Sequence, residues 1–581
     1  MWGTLLFAVA GAAWGSGVFG TLENAGGFNA PNSQSQFESS LATSAFGRDA
    51  GDVVILYTSA TATAGSPASE HAVNLALSTL PRSAVLSDAT YWSTHSNAFL
   101  SADGRETYVV IELAGSSDDA RQANYDRIKN RLAATGLTDH VGGLVPTYEM
   151  ISQLTSADIG HAESLSLPIL LILLLIIFGS VTAASLPLAI GGLGILGSFM
   201  ALRLLALITG VSIFSVNIAT ILGLGLGIDY GLFMVSRFRE EIHRGGSTDE
   251  IVARTMSTAG RTVAFSGVTV AVGLSGLLLF PETFLRSMGY GGMLTVALDV
   301  TAALTTMPAL LSVLGPRVNS LRIRQSLARP AAAVETGRFY RLATKIMRRP
   351  ILISVAIVVL LLTVGSPFLK VTWGGTDASV LPTSAAPRLV ATALARDFPG
   401  NPTAPVEVLV TFRTPLTGTS VQRVALATYF GRLARVAGVD DARVTGESDH
   451  AVRIDLNYGV GPNSAAAQSI VAQVRAVRPP LGSQRFVGGQ TAQLVDTLVS
   501  LGSVLPWMAV VVVSATFILL FLAFDSLVLP FKAIIMNFLS LSVMFGVLVW
   551  VFQDGHLSGL LGFTAPAASS RERRSCSVWS L

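Results

Sequence analysis

The sequence has little charge and almost no cysteine, and both shortages exclude whole classes of protein. Only 13% of its 581 residues are charged, 51% are apolar, and the mean hydropathy is +0.58. A soluble protein has about 25% charged residues, so this composition is typical of a membrane protein. The single cysteine, Cys576, excludes an internal disulfide framework and a cysteine-based metal site.

Further absences limit the chemistry. The seven histidines are scattered without the spacing of metal ligands, and no Gly-x-x-x-x-Gly-Lys-Ser/Thr loop for nucleotide phosphates occurs. The net charge is only +3, with basic residues in short loops, which argues against nucleic-acid binding. We therefore expect no cofactor, no metal and no nucleic-acid partner, and a protein that performs work must then draw on an ion gradient.

Long apolar runs are what the sequence has in abundance. About 20 residues cross the hydrocarbon core of a bilayer, and nine runs meet that length or approach it. The first run lacks the basic beginning of a signal peptide and is interpreted as a membrane helix. The runs are Met1–Val18, Leu165–Ala184, Leu186–Leu207, Ser212–Ser236, Thr262–Phe280, Met288–Leu314, Ile351–Leu369, Val504–Phe524 and Val528–Phe552.

The predicted fold is a polytopic α-helical membrane protein with two large polar domains inserted between its helices. The boundaries are 1–19 for the first helix, 20–164 for polar domain 1, 165–315 for helices 2–6, 316–349 for a basic loop, 350–369 for helix 7, 370–500 for polar domain 2, 501–553 for helices 8–9 and 554–581 for a tail.

Both polar domains show the pattern of an α+β domain. Short runs rich in Val, Ile and Tyr predict strands, and amphipathic runs between them predict helices, in an order that fits a split βαβ domain. The two halves also echo each other, because Val141-Gly142-Gly143 and Val487-Gly488-Gly489 each precede a membrane helix. A duplication of this kind is typical of transporters. The predicted strands are Asp52–Tyr57, Thr107–Leu113, Val406–Phe412 and Val452–Asn457, and the predicted helices are Ser69–Leu80, Asp118–Ala134, Val421–Val436 and Ala465–Val477.

Basic residues predict the orientation. The loops at Arg237–Arg261 and Arg317–Arg349 are rich in Lys and Arg and should face the cytoplasm. Counting helices from these loops places both polar domains on the external side. The expected location is therefore the bacterial plasma (inner) membrane, as a multi-pass protein with external domains.

Asp229 is the main functional candidate. A carboxylate inside an apolar helix costs about 2.5–3.5 kcal/mol on insertion scales, so it indicates function by default. Its neighbour Tyr230 can donate or accept a hydrogen bond, but it points about 100° away and is expected to meet another helix. Phe233 follows one turn later and could shield the site from cytoplasmic water. Three glycines, Gly223, Gly225 and Gly227, predict close packing of this helix.

Two further residues are candidates for a proton relay. Ser266 in the following helix could bond Asp229, or could only pack. Asp299 in the sixth run could receive a proton from Asp229, could face a wet crevice, or could pair with Arg203. Two membrane aspartates also suggest an intramembrane protease, but Gly225-x-Gly227-x-Asp229 is one residue too long for the pattern of such enzymes. We expect no enzyme activity.

A set of motifs resembles the mycobacterial membrane protein large (MmpL) family of the resistance–nodulation–division (RND) superfamily. The resemblance extends to about Pro566. It implies twelve membrane helices, two external porter domains, and proton-driven export of lipids or other hydrophobic compounds. The motifs are GLGIDYGLF at 225–233, SRFREE at 236–241, AGRT at 259–262, FSG at 265–267 and MPALL at 307–311.

The resemblance also implies two Asp-Tyr pairs as the proton relay, in the fourth and tenth helices, and this chain holds only the first, Asp229 and Tyr230. The tail, SSRERRSCSVWSL, is unlike the rest, so the second half is expected to be incomplete. The predicted function is export of lipids or amphiphiles driven by the proton-motive force. The alternative is a truncated, non-transporting fragment or a membrane partner. A homo-oligomer and accessory membrane proteins both stay open.

Overall fold

A computed structural model describes residues 2–23, 27–47, 51–60, 63–115, 117–321, 338–375, 377–398, 404–416, 420–561 and 563. Most of the predicted tail, including Cys576, and residues 322–337 of the predicted basic loop lie outside these residues. The chain divides into two compact units. The helical unit comprises Met1–Glu23, Ala157–Val371 and Ser503–His556, and the sheet unit comprises Asn24–Ser156, Thr372–Gly502 and Leu557–Leu581.

Nine helices in the described part of the chain are long and apolar enough to cross a membrane. Each coincides with one predicted run, so the prediction of a polytopic α-helical membrane protein is confirmed. In chain order, span 1 to span 9 are Gly3–Gly20, Leu144–Phe178, Val181–Ala206, Phe214–Arg244, Thr248–Leu279, Thr283–Asn319, Pro350–Lys370, Gln490–Phe524 and Val528–Gln553.

Two predicted boundaries were wrong. The run to Ala184 does not form one helix, because the helix ends at Phe178, Gly179 adopts a positive φ of 63°, and the Ser180 side chain caps span 3. The polar segment before Arg261 is mostly helix and not loop. There span 5 begins at Thr248 with a capping box and continues through a π-helical turn.

Several spans change helix type along their length. Span 1 consists of Trp2–Ala10, a π-helical turn at Gly11–Gly15 and a 3-10 turn at Ser16–Gly20. Span 5 consists of Thr248–Thr255, the turn Met256–Gly260, Arg261–Ser275 and Gly276–Leu279. Span 6 consists of Thr283–Thr301, a π-helical turn at Ala302–Thr306, Met307–Leu314 and Gly315–Asn319. A helix at Arg338–Met347 precedes span 7.

The sheet unit contains two four-stranded antiparallel sheets. Their strand orders, β2-β3-β1-β4 and β6-β7-β5-β8, are equivalent, and each follows the β-α-β-β-α-β order, so the predicted split βαβ domains and the duplication are confirmed. The strands are β1 Val53–Thr58, β2 Val85–Ala89, β3 Glu106–Leu113, β4 Thr138–Gly142, β5 Val406–Phe412, β6 Asp441–Glu447, β7 Ala451–Asn457 and β8 Ser483–Gly488.

Each sheet packs the helices of its own repeat against one face. Alternate residues of β1, such as Val53, Ile55 and Tyr57, point to that face and are fully buried. The equivalent residues of β5, among them Val408 and Val410, do the same. The helices are Pro67–Ser78 and Asp118–Ile128 on the first sheet and Ser420–Leu433 and Ala465–Ala476 on the second.

The opposite face of each sheet is covered by a helix from the other half of the chain. Helix Ala386–Asp397 packs on the first sheet, where its apolar residues bury Leu56 and Tyr108. Helix Gln34–Phe46 packs on the second sheet, where Ala42 contacts Leu409. We call these two segments the crossover helices. Because both faces are covered, the central strands β1 and β5 are almost continuously apolar.

Candidate functional site

Span 4 packs closely against spans 3 and 6 through glycines four residues apart. An added Cβ at Gly223 would lie 2.9 Å from Ile195 of span 3, and one at Gly227 would collide with the backbone of Gly191. One at Gly231 would lie 2.6 Å from Pro187. The spacing of four residues puts all three glycines on one face of the helix. This face allows the backbones of spans 3 and 4 to approach each other.

Gly225, the middle one of the three glycines predicted to pack closely, does not share this packing. It is exposed, and nothing described in the structure lies within 4 Å of an added Cβ. The physical reason is that a residue two positions along a helix points about 200° away from its neighbour. The glycines that pack against spans 3 and 6 are therefore Gly223, Gly227 and Gly231.

Asp299 of span 6 lies at the centre of this packing. Its side chain is fully buried, and its carboxyl group fills the space that Gly194 leaves in span 3. One carboxyl oxygen lies 3.3 Å from the position of an added Cβ on Gly227. Neither oxygen has a hydrogen-bond partner among the described residues. Burying an unpaired charge costs far more than burying a neutral acid, so a carboxyl group placed in this way is suited to binding a proton.

Arg203 does not pair with Asp299 among the described residues. Its guanidinium group stacks 4.6 Å from the ring centroid of Trp14 in span 1, and it donates a hydrogen bond to the Trp14 carbonyl. The described contacts of Arg203 are therefore with span 1, whereas Asp299 faces spans 3 and 4.

Asp229 and Tyr230 point in different directions, as consecutive helical residues must. Asp229 is exposed on the surface of the described bundle, although we expected the bundle to enclose it. Tyr230 is 5% exposed and points into the bundle. The Tyr230 hydroxyl faces Ser266 of span 5 and interacts electrostatically with both Asp299 and Asp229. No hydrogen bond to this hydroxyl has good geometry among the described residues.

Ser266 is therefore placed beside Tyr230, in a position from which it can contact the phenol hydroxyl. Like Asp229, it is exposed. Gly267 follows it in the chain, and an added Cβ there would lie 3.7 Å from the Tyr230 hydroxyl. The structure thus brings Asp229, Tyr230, Ser266 and Asp299 to one region of spans 4, 5 and 6.

Phe233 lies one turn after Asp229 and is 44% exposed. It forms the end of an open groove of about 340 Å³ between spans 4 and 5. Phe233 thus follows Asp229 by one turn and lines this groove, and its role as a shield stays a prediction. The groove is lined by Phe233, Ser236, Arg237, Glu240, Thr258, Ala259 and Thr262.

The charged end of span 4 is an ion-pair network centred on a buried acid. Glu241 is 1% exposed and contacts Arg237 at 2.8 Å, Arg244 at 2.7 Å and Arg254 at 2.9 Å. Arg254 belongs to span 5, so this network joins the ends of spans 4 and 5.

Sequence reasoning missed the other side of the glycine interface. Gly191 of span 3 leaves room for the backbone of span 4, and Gly194 of span 3 leaves room for the Asp299 carboxyl group. Gly231 adds one further turn to the packed glycines of span 4. The available signal was the spacing of small residues in both helices. In the described part of the chain, no group of three or more metal-binding side chains comes together.

Comparison with known proteins agrees with this arrangement. The model of the MMPL family matches residues 28–353 and 403–569. The chain is 33% identical to the trehalose monomycolate exporter MmpL3 of Mycobacterium tuberculosis over 95% of its own length and 63% of that protein. It is 37% identical to the membrane protein SCO6666 of Streptomyces coelicolor over 97% of its own length and 76% of that protein.

A third relative is the mycolic acid-containing lipids exporter MmpL11 of Mycolicibacterium smegmatis, which is 31% identical over 70% of this chain and 44% of that protein. The chain thus spans about half to three quarters of the length of these relatives. The family model covers most of the sequence and includes the glycine interface and all four acidic and hydroxyl candidates. This chain belongs to the MMPL family and is a multi-pass protein of the bacterial inner membrane.

Proposed function

We propose that this chain exports lipids or other hydrophobic and amphiphilic compounds across the plasma membrane and is driven by the proton-motive force. The observation that carries the proposal is the buried Asp299 carboxyl group, which has no hydrogen-bond partner among the described residues and lies in a glycine-lined interface of three spans. The names of relatives such as the trehalose monomycolate exporter MmpL3 support a lipid cargo.

In this proposal Asp229 and Asp299 bind the transported proton, and Tyr230 connects them. The Tyr230 hydroxyl lies near both carboxyl groups and can donate and accept a hydrogen bond, which is the chemistry that a proton transfer between them requires. Ser266 orients that hydroxyl, and Phe233 separates Asp229 from the open groove. One proton crossing about 100 mV supplies roughly 2.3 kcal/mol.

The two split βαβ domains lie on the external side in this proposal and form the route of the cargo. The helical unit supplies the proton sites, and the sheets supply large surfaces outside the membrane. The partners are then a lipid or hydrophobic small molecule, the membrane and protons.

The test is transport by the purified full chain in proteoliposomes. A proton gradient is imposed, and the lipid-dependent proton flux is followed with a pH-sensitive dye, using a fluorescent trehalose monoester and a fluorescent phospholipid as probes. Asp229→Asn and Asp299→Asn should each lower the flux at least tenfold, because neither amide can carry the proton.

Asp525→Asn is the matched control, since Asp525 is exposed in the turn between spans 8 and 9. It should transport like the parent chain. Unchanged flux in Asp229→Asn and Asp299→Asn, with a parent chain that transports, would contradict the relay.

One observation favours a second candidate, in which this chain is a membrane partner that does not transport alone. Asp229 is exposed on the bundle surface, and a charge facing lipid costs about 2.5–3.5 kcal/mol. Further membrane helices would remove that cost by covering the face. A parent chain that gives no flux alone, but gains it when co-reconstituted with a co-purifying membrane protein, supports this candidate. Flux from the chain alone contradicts it.

A further inference from the structure

In the first sheet, a side chain of a crossover helix packs into the space above a glycine, and we call this space a slot. Gly142 of β4 and Val110 of β3 both pair with Val54 of β1. Gly142 leaves room for Val390 of helix Ala386–Asp397, because an added Cβ would lie 2.7 Å from the Val390 Cβ. Val54 and Val390 are 9% and 1% exposed. This valine slot is an ordinary apolar contact.

The same slot in the second sheet is filled by carboxyl groups. Gly488 of β8 and Asp455 of β7 both pair with Glu407 of β5, in the register of the first sheet. Glu38 of helix Gln34–Phe46 occupies the room above Gly488. It is 1% exposed, and its carboxyl group faces that of Glu407. We call Glu38, Glu407 and Asp455 the carboxyl slot.

Packing alone does not require acids in this place, because the equivalent slot is closed by three valines. The equivalence follows from the ladders, in which Val54 corresponds to Glu407 and Val110 to Asp455. Burying an acid costs free energy that a valine does not cost. The difference between two otherwise matching slots therefore points to a role for the acids that the valines do not have.

Arg453 of β7 is the cation that faces the carboxyl slot. It is 7% exposed and lies 3.2 Å from Asp455 and 3.9 Å from Glu407. With all three acids ionised, the slot and Arg453 would carry two net negative charges. A single proton held between Glu38 and Glu407 halves that excess and allows the two carboxyl groups to bond.

The other charged groups near this crossover helix have contacts of their own outside the carboxyl slot. Asp496 pairs with Arg475 at 2.6 Å and accepts the backbone N–H of Ser35 at 2.9 Å. Arg485 of β8 donates to the carbonyls of residues 475 and 477. The helix itself, QSQFESSLATSAF, has Glu38 as its one ionisable side chain. Arg443 of β6 pairs with Asp455 in the strand register and contacts Asp441 at 2.5 Å. The charged groups that act on Glu38 are Glu407, Arg453 and Asp455.

Burial, and next the neighbouring Glu407 carboxylate, raises the pKa of Glu38 to about 8, although Arg453 acts in the opposite direction. An undocked helix would expose Glu38 to water, where its pKa has the ordinary value of 4.5. The docked helix therefore holds a proton that the undocked helix releases.

We propose that the carboxyl slot is a proton-binding site that fastens helix Gln34–Phe46 to the second sheet and loosens it when the proton leaves. This site lies in the sheet unit and is distinct from the membrane carboxylates Asp229 and Asp299. Its test does not depend on transport.

The pH dependence follows from the two pKa values. Below pH 4.5 both states carry the proton, and the full stability of the docked helix is present. As the pH rises from 4.5 to about 8, the docked state alone keeps the proton, so docking weakens about tenfold per pH unit. Above about pH 8 both states have lost it. The apolar contact of Ala42 with Leu409 is unaffected by pH.

The experiment measures the distance between the helix and the sheet in the full chain in lipid nanodiscs. Spin labels are placed by Ser40→Cys and Gln484→Cys, both exposed positions, in a Cys576→Ser background. At pH 5 we expect one short distance. As the pH rises to 9, a second, longer distance should gain population.

Three variants make the assignment specific. Glu38→Gln keeps the shape of the side chain without its titration and should keep the short distance from pH 5 to 9. Glu407→Gln removes the neighbouring carboxylate and lowers the pKa of the docked Glu38, so docking should stop weakening at a lower pH and the long distance should gain at least tenfold less population at pH 9 than in the parent. Glu447→Gln, on the exposed edge strand β6, should titrate like the parent.

A parent chain with one unchanged distance from pH 5 to 9 overturns the proposal. So does a Glu38→Gln variant that titrates like the parent. If Glu38→Gln fails to fold, Glu407→Gln decides, because a long-distance population at pH 9 equal to that of the parent also overturns the assignment.

Discussion

Gly227 shows at the scale of one residue how a missing side chain brings three helices together around an acid. Its hydrogen faces the backbone of Gly191, and Asp299 lies beside both. In a membrane, helices associate through close van der Waals contact, which small residues allow. The buried acid is therefore held by packing rather than by an ion pair.

Gly227→Ala should accordingly destabilise the helical unit by about 1–3 kcal/mol, the usual cost of overpacking. The added methyl group would meet the Gly191 backbone, which cannot move without separating spans 3 and 4. The measurement is thermal unfolding of the detergent-solubilised protein.

Gly225→Ala is the control on the same helix, since an added Cβ there meets nothing described within 4 Å. Its unfolding temperature should match the parent or rise slightly, because Ala favours a helix over Gly by up to about 1 kcal/mol. Equal effects of the two substitutions would show that the glycine face does not determine this packing.

At the scale of the element, Gly489 forms the turn that connects β8, the last strand of the second sheet, to span 8. It has a positive φ of 87°, and span 8 begins at the next residue, Gln490. Gly143 does the same before span 2, with a φ of 97°. The repeated Val-Gly-Gly motif therefore has a structural cause in both halves, which is the left-handed turn between β-strand and helix.

Gly489→Ala should destabilise this junction by about 1–2 kcal/mol from the backbone conformation, with a further cost because the methyl group would collide with the Pro405 carbonyl. Limited proteolysis of the sheet unit should become faster. Gly502→Ala, within span 8 and in open space, should leave the cleavage rate unchanged. Equal cleavage rates for both variants would contradict the role of the turn.

Local patterns in the sequence were sufficient for the spans and for the four central strands β1, β3, β5 and β7. They were insufficient for the four edge strands and for the packing partners of each element. Val406–Phe412 was predicted to the residue, because alternating β-branched residues indicate a strand without knowledge of the rest. The crossover helices were missed, since they are short, weakly patterned, and pack on strands more than 240 residues away. The depth of Asp299 depends on Gly194 in another helix, and one sequence cannot show which residues of two helices meet.

The same limit applies to the candidate site. The divergence of Asp229 and Tyr230 follows from helix geometry alone and was predicted. That Asp229 is exposed while Asp299 is buried depends on how spans 3 to 6 pack, and it was not predicted. The roles of these residues in proton transfer stay predictions.

At the scale of the whole molecule, the distribution of basic residues predicts which side each loop faces. The segments 207–213 and 280–282 at one end of spans 3 to 6 contain no Lys or Arg. The opposite ends carry Arg237, Arg244, Arg254 and Arg317. Arg203 and Arg286 are the basic residues in the span turns next to these two segments. Positively charged residues are enriched near cytoplasmic span ends, so the ends with fewer of them should be external, and both polar domains should be on that same side.

Single cysteines in a Cys576→Ser background test this orientation in intact cells. Ser78→Cys and Thr428→Cys, exposed on helices of the two sheets, should react with a membrane-impermeant maleimide. His243→Cys and Ser257→Cys, exposed near the basic ends of spans 4 and 5, should react only after the cells are permeabilised. Because all four sites are open to solvent, a difference in labelling reports the side of the membrane and not burial. Labelling of His243→Cys in intact cells, with Ser78→Cys protected, would reverse the topology and place the sheets in the cytoplasm.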